Sequence, residues 1–416
     1  MRSTSLAAIT ALVGRVGAGL AGPPHSGPRV VASGNFATPH ALLGAVDDGL
    51  ERYRLQVLNA QVGISTRAGV THETSFVGPG MRRSPALSYV PSRLSLLPPL
   101  LGSRLLPDIV VVHCSTPVAG KVSLGIEVNI LPAAIEAVRA RGGLVLAQLN
   151  TQMPYTFGDG ELDLDLIDYA VQVDAPLPSP TTRPADDTSA SIGERVSALV
   201  PDGATLQLGI GAVPDATLAA LRGRRGLRIW SEMFSDGVLE LDAGGCLDPD
   251  ATIVGSFIFG SPALYAWVDR NPRVRIARTE VTNEPSTISR QPQMTSINAA
   301  LQVDLFAQAN ASRLNARIHS GFGGATDFLV GALHSPGGQA LVALPSWHPR
   351  AGVSTIVPLL EEPATSFQPS AVVTENGTAM IHGHDEREQA AALIENAAHP
   401  SVRSELAEEA RYLGLA

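Results

Sequence analysis

Ala204-Thr-Leu-Gln-Leu-Gly209-Ile-Gly211-Ala-Val213-Pro-Asp-Ala216, continued by Leu227-Arg-Ile-Trp-Ser-Glu232-Met-Phe-Ser-Asp-Gly237, is the stretch on which the fold turns. Its first five residues predict a short buried strand, and Gly209–Val213 predicts a turn in which bare backbone can approach a ligand. Pro214 suits the first turn of a helix running to about Leu221, because its fixed φ is helical and its missing N–H would be unpaired there. The free amides of such a helix start form an anion-binding arrangement. After the Gly223-Arg-Arg-Gly226 break, Leu227–Trp230 predicts a second strand that delivers Glu232 at its carboxyl end. Ligands of open α/β sheets bind at that edge.

Two chemistries fit this pair. In a dinucleotide fold the glycine turn would hold pyrophosphate and an acidic residue about twenty positions on would hold a ribose hydroxyl; Glu232 stands near that place, but Pro214 occupies the position of the third glycine. In the second chemistry Glu232 is a covalent nucleophile, and the glycine-turn amides stabilise the oxyanion formed at a thioester or anhydride carbonyl. The plain alternative is a structural turn followed by a solvated glutamate.

Working outward, 416 residues suffice for a large core and two domains. Hydrophobic residues at 44% and charged residues at 17% mark a globular chain. The net charge of -9, with no basic run interleaved with aromatics, argues against a nucleic-acid surface. Cys114 and Cys246 are two widely separated thiols, which is no disulfide framework and points to a reducing cytoplasm. Among residues 1–28, Arg2 and Arg15 sit in an Ala, Leu and Val context with no acidic residue before Asp47. A targeting peptide would read this way; a peripheral helix ending before Gly22-Pro-Pro is the favoured reading, since the run is too weakly apolar to span a membrane.

From Arg29 the chain alternates strand and helix. Strands are expected at Val30–Ser33, Leu55–Val62, Asp108–His113 and Leu144–Leu149, with helices at His40–Tyr53 and Ile130–Arg141. Phe76–Leu101, with Pro79, Pro85, Pro91, Pro98 and Pro99, is expected to be loop-rich. The Pro176–Asp187 stretch has no periodicity and marks the division, giving domains 1–185 and 186–416. In the second half a helix is expected over Ser191–Leu199. The second sheet should continue through Ile253–Phe259, Val274–Ile276, Ile297–Leu301, Leu341–Leu344 and Ala371–Thr374, with a charged helix from Asp385. The expected fold class is α/β, two similar open doubly wound domains with a cleft between them.

Three further constellations compete with Glu232. Ser320-Gly321-Phe-Gly323-Gly324 before Asp327-Phe328 is either a second amide cradle or a tight turn. His382-Gly-His384 has no third ligand nearby, so no metal is expected and Asp385 is read as a helix cap. Glu375, in Thr374-Glu-Asn-Gly377, is another carboxylate at a strand end and the real rival nucleophile.

Taken together, Gly209–Ala216, Ser231–Gly237, Ser296-Ile-Asn-Ala-Ala-Leu-Gln-Val-Asp304, Ser320–Gly324, Asn150-Thr-Gln-Met-Pro154, Ile167-Asp-Tyr169 and Phe76-Val-Gly-Pro79 resemble the acetyl-CoA hydrolase/transferase family, in particular its 4-hydroxybutyrate CoA-transferases. The resemblance runs from about Arg29 to the end. It implies that Glu232 forms an acyl anhydride and then a glutamyl-CoA thioester, in ping-pong transfer of CoA from an acyl-CoA to a small carboxylate. It implies coenzyme A contacts at Gly209, Ile210, Gly211, Ala212, Val213, Leu301 and Gly324. Contacts to the acyl substrate are implied at Asn283, Gly321 and Gly323. Coenzyme A enters as co-substrate, no other cofactor is expected, and the family suggests a homodimer or larger. An acetyl-CoA hydrolase using the same glutamate, or a non-catalytic CoA-binding protein, are the alternatives. Relatives carry a tyrosine where Asn376 stands and an arginine after the serine corresponding to Ser354, and smaller residues in place of Trp347-His348-Pro349.

Overall fold

The computed structural model describes residues 1–19, 27–180, 186–364 and 367–416. Two compact units result: residues 1–180 with 254–282 and 318–323, and residues 181–253 with 283–317 and 324–416. Residues 181–185 of the expected linker and the Gly22-Pro-Pro helix stop lie outside the described residues.

The first unit is built on an eight-stranded sheet of β1 (Arg2–Ser3), β2 (Arg29–Ala32), β3 (Tyr53–Gln56), β4 (Val70–Thr74), β5 (Leu87–Tyr89), β6 (Ile109–Cys114), β7 (Leu144–Asn150) and β8 (Tyr169–Val173). The spatial order is β1-β8-β7-β6-β2-β3-β4-β5, parallel throughout. Every residue of Ile109–Cys114 is buried, as a strand covered on both faces requires. Helix α1 (Leu6–Gly19) packs on helix α2 (His40–Gly49), burying Ile9 and Val13 in the same core as Val30, Leu42 and Val111. The small residues of α1 and α2 have a packing reason: a Cβ on Gly49 would lie 2.3 Å from Val13 and 2.5 Å from the Thr10 carbonyl. No helix among the described residues is long and apolar enough to cross a membrane.

In the second unit β9 (Thr205–Gln207), β10 (Arg228–Ile229), β11 (Met294–Ala299), β12 (Gln339–Ala343), β13 (Ala371–Thr374) and β14 (Gly377–Met380) form a six-stranded sheet in the order β10-β9-β11-β12-β13-β14. All neighbours are parallel except the β13–β14 hairpin. Its core gathers Met294, Phe328, Leu329, Val342, Val372 and Leu393. The α/β class expected from the alternation is therefore present in both units.

Several boundaries differ from the sequence expectation. The helix expected to Tyr53 ends at Gly49, because Leu50 is already extended (φ -114, ψ 122) and the chain enters β3. The strand expected to Val62 stops at Gln56, before Asn59 turns left-handed with φ 46. Val274–Ile276 does not extend the second sheet; it pairs in parallel with Phe157–Gly158 in the first unit, and Phe259 stacks on Phe36 at 3.8 Å between ring centroids. Periodicity identifies a strand but not its partner. Residues 254–282 thus belong to the first unit, and the linear division at 185 does not follow the compact units there.

Candidate active site

Strand β9 ends at Gln207 and the chain passes through Leu208 and Gly209 into helix α3 (Ala212–Ala220), whose N-cap is Gly211 with φ 119 and ψ 178. That φ is left-handed territory, so glycine is required at 211. Gly209 is different: its Cβ would meet nothing nearer than Pro214 at 3.6 Å, so neither backbone strain nor packing in the chain demands glycine. Ile210, Gly211 and Ala212 are exposed, leaving the first-turn amides at the surface of this unit.

Strand β10 lies parallel to β9, with Thr205 opposite Arg228 and Leu206 opposite Ile229. Beyond its end the Leu208 N–H donates to Ser231 Oγ at 3.0 Å, Ser231 Oγ donates to the Leu208 carbonyl at 3.2 Å, and Leu208 bridges Met233. Both chain neighbours of Glu232 are therefore pinned to the residue preceding Gly209. In the sheet order β9 is flanked by β10 on one side and β11 on the other, so the segments leaving β9 and β11 diverge at a topological switch point. Leu301 follows β11 at this edge, with its N–H donating to Asn310 at 2.8 Å.

The Glu232 carboxylate is partly buried and held by two donors. Asn283 Nδ2, on a fully buried side chain, donates to Oε2 at 2.8 Å, and the Gly324 amide supplies a second hydrogen bond. Gly324 caps helix α4 (Ala325–His334), so the carboxylate sits at a helix N-terminus. A Cβ on Gly324 would fall 2.0 Å from Glu232 Oε2 and 2.1 Å from Asn283 Nδ2, so the absence of a side chain there is a condition for the cluster. Burial pushes the Glu232 carboxyl up to about 7; the Asn283 and Gly324 hydrogen bonds pull it down, and the charge of Asp327 in the first turn of α4 pushes it up.

The other expected residues are placed as follows. Gly321 and Gly323 belong to the first unit, where Gly321 bridges Phe76 and the Gly323 carbonyl accepts from the Leu94 amide at 3.1 Å. Asn283, expected near the acyl carboxylate, holds the glutamate itself. Asp385 caps its helix by accepting from the Arg387 and Glu388 amides at 3.0 and 2.9 Å, and His384 approaches Glu388 at 3.5 Å. Among the described residues no group of three or more His, Cys, Asp or Glu could hold a metal ion.

The rival Glu375 has its carboxylate occupied. It accepts the Ser346 amide at 2.9 Å and the Ser346 hydroxyl, while Asn376 Nδ2 donates to Ser346 Oγ at 2.8 Å. This carboxylate clamps the β13–β14 turn to the segment leaving β12. Glu375→Ala is accordingly expected to lower stability by about 1–3 kcal/mol, the cost of leaving the Ser346 donors unpaired, as read by urea unfolding.

Sequence reading missed a polar group at the same strand ends: Gln207 Oε1 accepts from Ser296 Oγ at 2.8 Å and Asn298 Nδ2 at 3.1 Å. Alternation within Ser296-Ile-Asn298 places both side chains on one face, which is the signal that could have found them.

The chain is similar to known proteins over most of its length. The family model described as acetyl-CoA hydrolase/transferase C-terminal domain matches residues 260–410. The 4-hydroxybutyrate coenzyme A transferase of Clostridium kluyveri is 37% identical over 353 residues, which is 81% of this chain and 81% of that protein. Acetyl-CoA hydrolases match at lower identity, 28% for that of Kluyveromyces lactis over 67% of this chain and 57% of that one. Among solved structures, RipA from Yersinia pestis superposes with a TM-score of 0.90 at 25% identity, covering 100% of this chain and 98% of that chain. A 4-hydroxybutyrate CoA-transferase from Porphyromonas gingivalis has a TM-score of 0.79 at 31% identity, over 99% and 98%.

Proposed function

Because the chain belongs to the acetyl-CoA hydrolase/transferase family, we propose that it exchanges CoA between an acyl-CoA and a small carboxylic acid such as 4-hydroxybutyrate, with Glu232 as the covalent nucleophile. The observation that carries this reading is the Glu232 carboxylate, held by the Asn283 and Gly324 donors on a segment whose Ser231 and Met233 are pinned to Leu208 ahead of the glycine turn. Its carboxylate oxygen attacks the thioester carbonyl of the acyl-CoA, the C–S bond breaks, and CoA leaves as thiolate from a mixed anhydride. The thiolate attacks the glutamyl carbonyl and the anhydride C–O bond breaks, so the first acid departs and a glutamyl-CoA thioester remains. An incoming carboxylate reverses these steps, which makes the kinetics ping-pong. Amides of Gly209–Val213 are assigned to the oxyanions and to CoA, as is the Gly324 amide once the carboxylate has reacted. Leu301 is placed with the CoA contacts, and Gly321 and Gly323 with the acyl group.

Coenzyme A is the one organic co-substrate in this reading. Residues 1–185 are assigned as the N-terminal CoA-transferase domain and 186–416 as the domain carrying the nucleophile. Two separate buried thiols support a cytoplasmic setting, and the family resemblance supports a homodimer or larger.

Reduction by borohydride after incubation with acetyl-CoA, followed by peptide mass mapping, tests the assignment. Modification is expected on the peptide containing Glu232; modification of Glu375 in its place, or of neither, overturns it. Measuring free CoA with and without an acceptor acid separates transfer, which needs the acceptor, from hydrolysis, which does not.

The reactive species is the ionised carboxylate, so kcat/KM is expected to fall as pH drops through about 7. Asp327→Asn removes a charge that raises this inflection and should move it to lower pH. A pH–rate profile of the two proteins reads the displacement; an inflection that stays in place refutes the assignment to Glu232.

A further inference from the structure

Thr151–Pro154 of the Asn150–Pro154 motif form a wall of a cavity of about 360 Å³ in the first unit. The cavity opens at the carboxyl ends of three adjacent parallel strands. Ser115 and Thr116 follow β6, Thr151–Tyr155 follow β7, and Pro176 and Leu177 come just after β8, with Pro262–Arg270 closing the fourth side. Size and position are those of small-molecule sites in open α/β sheets.

Its walls are tied together by the protein's own hydrogen bonds. The Asn150 side chain exchanges hydrogen bonds with the Ala175 backbone at 2.8 and 3.1 Å, and Thr151 and Gln152 both donate to Asp174, at 2.6 and 2.9 Å. Tyr265 Oη donates to the Pro178 carbonyl at 2.9 Å. Asp269 Oδ1 accepts the Tyr155 amide at 2.7 Å, and the Arg270 amide donates to the Tyr155 carbonyl at 2.8 Å. A site stitched in this way loses little freedom when a ligand enters.

Arg270 is the cation this frame presents. It is held at φ 51, a conformation an arginine adopts only where its surroundings impose it. Its guanidinium has no hydrogen-bond or ion-pair partner among the described residues, whereas the neighbouring Asp269 carboxylate is engaged by Tyr155. Met153, Leu177 and Ala266 supply apolar surface in the same cavity.

We propose that this cavity binds a small organic anion, its carboxylate or phosphate head on Arg270 and its apolar body against Met153, Leu177 and Ala266. Fluorine NMR of 4,4,4-trifluorobutanoate with the full-length chain tests it, using Glu232→Ala as the background so that turnover plays no part. Saturable line broadening is expected in Glu232→Ala, weakened at least tenfold by adding Arg270→Gln and abolished by adding Ala266→Trp, which fills the cavity. Displacement by inorganic phosphate at lower concentration assigns a phosphorylated ligand; persistence assigns a carboxylate. An anomalous bromine peak from 4-bromobutanoate inside the cavity is the crystallographic counterpart. Broadening indifferent to both substitutions in proteins with unchanged thermal midpoints, or a bromine peak only outside the cavity, overturns the proposal. The readout is binding, so its failure is distinct from failure of the CoA-transfer reading, which Arg270→Gln alone should leave unchanged.

Discussion

Gly324→Ala is expected to lower acyl-exchange activity by about 10²–10³ or more, with far less effect on the thermal midpoint. The added methyl would stand 2.0 Å from Glu232 Oε2 and 2.1 Å from Asn283 Nδ2, well inside any allowed contact. The obstructing atoms are the two side chains of the site and not backbone, so the fold can relax only by turning the carboxylate away from Asn283. A misplacement of about 1 Å is enough to cost a factor near 10² when reacting atoms must be aligned. Gly44→Ala on α2 is the matched comparison, because its methyl meets nothing within 4 Å and the position lies outside the site. Steady-state rates beside unfolding midpoints for the two variants decide the matter; Gly324→Ala with full activity would remove the cluster from the mechanism.

Glu232→Gln should eliminate transfer, by about 10⁴-fold or more, while making the protein more stable above neutral pH. An amide cannot form the anhydride, yet it keeps the shape of the glutamate and can still accept from Asn283. The stability change follows from the carboxyl being pushed up to about 7 from an unfolded value near 4.5. Between those two values the folded chain holds a proton that the unfolded chain has released, so wild-type stability declines as pH rises through this interval and stays lower beyond it. Glutamine does not titrate. Its advantage should therefore be present at pH 8 and nearly absent at pH 5, as measured by thermal unfolding of both proteins. Equal advantage at the two pH values would mean that the carboxylate carries no desolvation cost, and the nucleophile would then lack the dry setting that raises its reactivity.

Several elements were legible because they depend on local pattern. The run Ile109–Cys114 is buried on both faces, as an uninterrupted apolar strand should be, and Asp385 caps its helix as its position before a charged segment indicates. Val70–Thr74 escaped notice because His72 and Glu73 look like surface residues. In the fold Glu73 takes Arg29 at 2.6 Å and His72 takes Ser84 at 2.7 Å, and buried polar groups with partners leave no hydrophobic signature.

Residue order alone determined that Glu232 stands at a strand end just past a glycine turn, since strand period, proline position and turn chemistry are local properties. Only the tertiary structure decided that the fully buried Asn283 and the side-chain-free position of Gly324 would enclose that carboxylate, that Asp327 would bear on its charge, and that Glu375 would be spent on Ser346. Reactivity of a carboxylate depends on the donors, charges and solvent within a few ångströms, and those neighbours come from distant points of the chain that no periodicity relates.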